Sequence, residues 1–169
     1  MGQSMDTPIT PPTGTAPDDH EVVAALLGRR PKGRFEVVVR DDAGVPVVIR
    51  NHPLLEDGRP MPTRFWLVGD DLRSRIGTLE STGGGAAEAD CDPVELVDAH
   101  ARYAAERDAA IPAGHAGHRP SGGVGGTRRG VKCLHAHYAW FLAGGDDPVG
   151  RWVHARLDDL PARKDPTGG

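Results

Sequence analysis

The segment Val131–Leu142, VKCLHAHYAWFL, restricts the fold more than any other, because a helix drawn through it is apolar on most of its circumference. At 100° per residue, Val131, Leu134, Tyr138 and Leu142 share one face, with His135 at one edge and Phe141 at the other. Cys133, His137 and Trp140 lie on the opposite side, and Ala136, Ala139 and Ala143 form a small-residue stripe between them. A helix of this kind belongs in the middle of a domain rather than on its surface. Gly144 and Gly145 end it, since glycine accepts the left-handed conformation after a last turn.

The rest of the chain supplies elements to surround it. Phe35–Arg40 is dense in β-branched residues and reads as a strand, Asp41–Gly44 as a hairpin turn, and Val45–Arg50 as the returning strand. Pro46 has no N–H to give a ladder, so the second strand is expected at an edge or with its proline outward. Asn51–Pro62, with three prolines and a glycine, is a loop, and Thr63–Val68 is a third strand. Asp18 and Asp19 cap a helix through Leu27, with Val22, Val23, Leu26 and Leu27 as its apolar side. Asp70 or Asp71 caps another through about Glu80, with Leu72, Ile76 and Leu79 inward, and Gly83–Gly85 follows as a flexible link. Asp92-Pro93-Val94-Glu95 starts a helix reaching about Ala110, with Val94, Val97, Ala101 and Ala104 expected inside and Asp98 paired with Arg102. Asp147-Pro148 opens a last helix that turns Trp152, Val153 and Leu157 inward. The pattern is α+β: a small antiparallel sheet of about three strands packed against a helical bundle with a buried central helix. One domain over 18–160 is expected between disordered tails at 1–17 and 161–169.

Composition removes several functional classes. With 169 residues there is room for one domain and a real core. A net charge of −4 argues against general nucleic-acid binding, which favours basic domains. Two cysteines, Cys91 and Cys133, cannot build a disulfide framework. No apolar run approaches the roughly 18–20 residues that span a bilayer, and the N-terminus lacks the basic-then-apolar pattern of a signal peptide. A cytoplasmic protein without membrane contact is the expectation.

The chemistry concentrates in Ser121–Lys132, SGGVGGTRRGVK, a glycine run that turns basic just before the apolar helix. Glycine lets a backbone approach a ligand closely, and a helix start offers free N–H groups and partial positive charge. With Thr127 as N-cap, the candidate ligand-binding residues are Gly122, Gly123, Gly125, Gly126, Thr127, Arg128, Arg129 and Lys132. The phosphate loop pattern GxxxxGK[ST] is absent, so the partner is a small anionic ligand, bearing phosphate or carboxylate, or an acidic protein segment. The alternative is a protein–protein adaptor in which the basic loop docks a partner. A second chemistry joins His115, His118, Cys133 and His137 as metal ligands, the last two at helical i,i+4 spacing. A third makes Cys133 a nucleophile, activated by a helix start beside Arg129 and Lys132, with His137 as base. His135 points away from both arrangements. His100 and His52 read as structural or exposed. The expectation is therefore no cofactor and no bound metal, with a binding role favoured over an enzymatic one and a cysteine-dependent enzyme as the alternative.

Three stretches carry a likeness to known proteins: LLGRRPKG at Leu26–Gly33, LLEDGRPMPTRFWLV at Leu54–Val68, and SGGVGGTRRGVKCLHAHYAWFLAGGDDPVG at Ser121–Gly150. They resemble the actinobacterial family called "domain of unknown function 501", over about His20 to Leu157. The resemblance implies no established activity. Family members are commonly encoded beside enolase, a septum-formation protein and an exopolyphosphatase-like enzyme, which implies a place near cell division or phosphate metabolism. Many resemble one another in a Cys-Pro-Cys-Gly turn and a later Cys-Pro. The matching positions here, Asp41–Gly44 and Gly69–Asp71, hold no cysteine.

Overall fold

The computed structural model describes residues 17–160; the tails read as disordered, 1–17 and 161–169, lie outside the described residues except for Pro17, which begins the first helix. The elements run α1 (Pro17–Leu27), β1 (Phe35–Arg40), β2 (Pro46–Asn51), β3 (Phe65–Leu67), α2 (Asp70–Asp90), α3 (Pro93–Ala109), a short 3-10 turn (Val124–Gly126), α4 (Leu134–Leu142) and α5 (Pro148–Leu157). The three strands form an antiparallel sheet in the order β1-β2-β3, and the fold is α+β.

Because β2 is the middle strand, Pro46 is neither at an edge nor outward; it is buried opposite Arg40. It is tolerated as the first residue of the strand, where a missing ladder donor costs least. The side-chain period of two splits the sheet between two cores. Ile49 and Val68 join Val23 of α1 and Phe35 on one face, while Val48, Phe65 and Leu67 face the helical layer on the other. In β1 the pairing jumps from Val37↔Ile49 to Val39↔Val48, so Val38 is an extra, bulged residue. The bulge explains how Val37 packs with the α1 core while Val39, two positions on, packs with the other.

α1 is fastened to the sheet by Asp19, whose carboxylate accepts from Arg40 Nη1 and Nη2 at 3.0 and 2.6 Å. On the opposite face α4 packs against β3, α2 and α5, with Leu134 1% and Tyr138 3% exposed. The central-helix expectation is met, but its start is not. Cys133 is the N-cap in extended conformation (φ −151°, ψ 113°), so Val131, Lys132 and Cys133 are not helical and Thr127 caps nothing in α4. Thr127 instead follows the 3-10 turn, its N–H bonded back to Val124 O at 3.4 Å.

Two further expectations change. Gly83–Gly85 is not a flexible link but a kink: the helix breaks at Gly83 (φ −167°, ψ 24°) and helical structure resumes to Asp90. α3 is capped as expected, with Asp92 Oδ1 accepting from Val94 N and Glu95 N at 2.8 and 3.0 Å. Its inner face, however, is Leu96, Ala99, His100, Tyr103 and Arg107, while Val94 and Val97 stand 70% and 44% exposed and Ala101 is exposed. Arg102 reaches the carbonyl and carboxylate of Asp146 and not Asp98. No helix of the described residues is long and apolar enough to cross a membrane.

Candidate functional site

The glycine loop is held tightly against α3. His100 Nδ1 accepts from Val124 N at 3.1 Å and its Nε2–H donates to Gly130 O at 2.9 Å, which fixes a neutral tautomer. Burial, the largest influence, lowers the His100 pKa from its ordinary value, in keeping with that tautomer. The buried Arg107 guanidinium donates to the carbonyls of Gly122 (2.8 Å), Pro120 and Pro62. Glycine is required here by the protein's own packing: a Cβ on Gly123 would lie 2.6 Å from His100 Cβ, and one on Gly122, itself at φ +75°, 2.6 Å from Gly126 O.

Many loop amides have protein acceptors. Gly123 N bonds Thr127 O, Gly126 N bonds Gly123 O, and Val131 N bonds the Glu88 carboxylate at 3.0 Å. The first amide of α4, Leu134 N, donates to Glu80 Oε1 at 2.6 Å, so a carboxylate from α2 already sits at the helix start. The loop's cations diverge. Arg128 lines one hollow with Gly122, Gly123, Val97 and Ala104, Arg129 lines another with Glu88 and Leu96, and Lys132 is exposed.

The residues proposed for metal binding and catalysis are redistributed in the same way. His137 is wholly buried, its Nδ1 2.6 Å from Asp147 Oδ2, and both side chains are 0% exposed. The His100 ring packs edge-on to it with centroids 5.5 Å apart, and His137 Nε2 has no hydrogen-bond partner. His115 and His118 share the 111–120 loop, with His115 Nε2 3.1 Å from His118 O. Cys133 therefore partners neither; its neighbours are His135 and Glu80. The ligand-capable atoms of Glu80, Cys133 and His135 all lie within 4.8 Å of one another, the one such set of three among the described residues. His135 Nδ1 is 3.2 Å from Glu80 Oε2, and Nε2–H donates to Arg73 O at 3.0 Å. Hydrogen bonding to the Cys133 side chain, aided by Arg73 O and Glu80 and opposed by burial, lifts the His135 pKa to about 9.

Cys133 and His135 form part of the wall of a cleft of about 460 Å³. Phe65, Trp66, Leu67 and Ala136 give it apolar sides, and Gly125, Arg29 and Arg73 also line it. Arg29 stacks over the Trp66 ring at 5.1 Å, while Arg73 Nη1 donates to Leu26 O at 2.8 Å. Of the residues expected to bind a ligand, Gly125 alone lines this cleft; Arg29, Arg73, Glu80 and His135 were missed. The basic turn Arg29–Gly33 was a visible signal for Arg29, whereas Glu80, which closes the site from another helix, gave none.

No curated protein and no solved structure matches the chain. The family model described as "Protein of unknown function (DUF501)" matches residues 37–155, from β1 into α5, a span that includes the glycine loop, Glu80, Cys133 and His135, and the chain belongs to that family.

Proposed function

We propose that the protein binds a small anionic ligand, bearing phosphate or carboxylate, in the cleft beside Cys133. The observation that carries this reading is the arrangement of the cleft: two guanidinium groups, Arg29 and Arg73, on a wall that is otherwise largely apolar. An apolar pocket with a few convergent polar groups is the usual form of a small-molecule site. A guanidinium suits phosphate and carboxylate because its donors form a planar fork. The proposal keeps the ligand class expected from the glycine loop but moves the charge contacts off Arg128 and Arg129, which line other hollows.

Thermal unfolding with a panel of phosphates and carboxylates tests it. Ligand at ten times its dissociation constant stabilises by about 1.4 kcal/mol, a rise of roughly 3–6 °C for a domain of this size. Arg29→Ala should remove most of that rise, and Arg128→Ala should leave it intact. Loss in Arg128→Ala alone would return the site to the loop, and an unchanged melting temperature across the panel would refute anion binding.

Docking of an acidic protein segment is a second reading, supported by the outer face of α3. Val97 is 44% exposed and lines both hollows, so Arg128 and Arg129 flank an apolar strip. Binding of an acidic, leucine-containing peptide, weakened by Arg129→Ala and indifferent to Arg29→Ala, would favour it over the cleft.

A further inference from the structure

We propose that Glu80, Cys133 and His135 form a zinc site with one open coordination position facing the cleft. The three donors come together from two elements: Glu80 from α2, and Cys133 and His135 from the N-cap and first turn of α4. Their donor atoms lie within 4.8 Å of one another. The 3.2 Å between His135 Nδ1 and Glu80 Oε2 is close to the roughly 3.3 Å that separates two ligands bound at about 2.0–2.1 Å with tetrahedral angles.

The surroundings are those of a metal site and not merely of a polar cluster. The Arg73 carbonyl can only accept, so His135 Nε2 carries a proton and Nδ1 is the nitrogen turned to the site. A ligating histidine is ordinarily fixed in this way, by its other N–H on a carbonyl or carboxylate. Leu134 N–H holds Glu80 Oε1, which leaves Oε2 directed at His135. All three groups are intermediate in exposure, so an ion can enter. Metal binding displaces the protons from Nδ1 and from the Cys133 thiol. Thiolate, imidazole and carboxylate together suit zinc, whereas magnesium and calcium favour all-oxygen sets.

Three protein ligands leave a fourth position for water or a ligand oxygen, the arrangement of reactive and not of structural zinc. Cys133 and His135 line the cleft and Glu80 does not, so we assign that position to the cleft side. The site is separate from the cleft's guanidinium groups and does not depend on anion binding; the metal alone is its probe.

The full-length protein, purified without metal-affinity steps, should contain close to one zinc per chain by elemental analysis. Apo protein prepared with a chelator should bind cobalt(II) and develop a thiolate-to-cobalt charge-transfer band together with tetrahedral d–d bands. Cys133→Ser should abolish the charge-transfer band and Glu80→Gln should reduce zinc to a small fraction of stoichiometric, while Cys91→Ser and His118→Ala retain both signals. Near-UV circular dichroism confirms that each variant is folded. Folded wild-type protein that takes up neither zinc nor cobalt, or a charge-transfer band lost in Cys91→Ser and kept in Cys133→Ser, overturns the proposal. Zinc that persists while phosphates and carboxylates fail to raise the melting temperature would remove the anion reading and leave the metal site standing.

Discussion

Single residues at the centre of the molecule are held by polar contacts that their side-chain types do not advertise. Asp147 does two jobs: Oδ1 caps α5 by accepting from Val149 N at 3.0 Å, and Oδ2 meets His137 Nδ1. The capping role was legible in Asp147-Pro148; the histidine partner, ten positions earlier, was not. Removing one member of a buried pair leaves the other without its partner, at about 3–5 kcal/mol. Asp147→Ala should therefore lower the free energy of unfolding, measured by urea denaturation, by that amount, and a loss under about 1 kcal/mol would show that His137 is satisfied elsewhere. His100 adds a pH dependence. Its folded pKa is lowered by burial, so the unfolded chain binds the proton more readily. The stability His100 contributes is present above about pH 6.5 and is lost as pH falls below it. The charged and titratable neighbours are His137 and Asp147. His100→Asn, which retains an acceptor for Val124 N, should flatten the fall in stability between about pH 7 and pH 5.5; an equally steep fall would assign it to other groups.

Element existence was largely legible, and so were the inner faces of α2 and α5, with Ile76, Leu79, Val153 and Leu157 buried, whereas the face of α3 was not. Strands β1 and β2 and the Asp92 and Asp147 caps followed from local chemistry, because a β-branched run and a capping aspartate act within a few residues. The face of α3 was misread because Val94 and Val97 are more apolar than His100 and Arg107. The latter two are buried because the glycine loop, far along the chain, brings carbonyls and an N–H to satisfy them. The same long-range dependence displaced the start of α4. A helix through Val131 puts Cys133 and His137 one turn apart, and His137 N does bond Cys133 O at 3.4 Å. Yet Cys133 is the extended N-cap, and its sulfur gathers with His135 and Glu80 while the His137 ring meets Asp147. The packing of α4 is nevertheless firm. Leu134→Ala should cost about 2–5 kcal/mol through lost burial and a residual cavity, measured by denaturant unfolding. The α4–α5 contact depends on a missing side chain: a Cβ on Gly150 would lie 2.3 Å from Phe141 Cβ. Gly150→Ala should destabilise by about 1–3 kcal/mol, the usual cost of overpacking. A stabilised Gly150→Ala protein would mean that α5 can shift away freely.

At the scale of the whole molecule, the sheet is a middle layer, and the two cores on its faces have unequal cover. The helical side buries most of the apolar residues, while the other side depends on α1, chiefly Val23 at 0% exposure with Leu26 and Leu27 partly buried. The family match begins at residue 37, so it omits this helix, although α1 covers Ile49, Phe35 and Val68 and leads directly into Leu27 and Arg29 of the cleft. A chain beginning at residue 31 should consequently lose both stability and ligand. Burying one valine contributes about 1.5–3 kcal/mol, and two half-buried leucines bring the total to roughly 4 kcal/mol. For a domain of this size that is a fall of roughly 8–16 °C in melting temperature. The exposed Phe35, Ile49 and Val68 should also bind a hydrophobic dye. Asp19→Ala is the milder arm. It removes the contact to Arg40, whose side chain is 37% exposed and can rehydrate, so the cost should be only about 1 kcal/mol with the cleft intact. If the shortened chain melts within about 2 °C of the parent and still responds to phosphate, α1 is an appendage and the cleft is complete without Leu27 and Arg29.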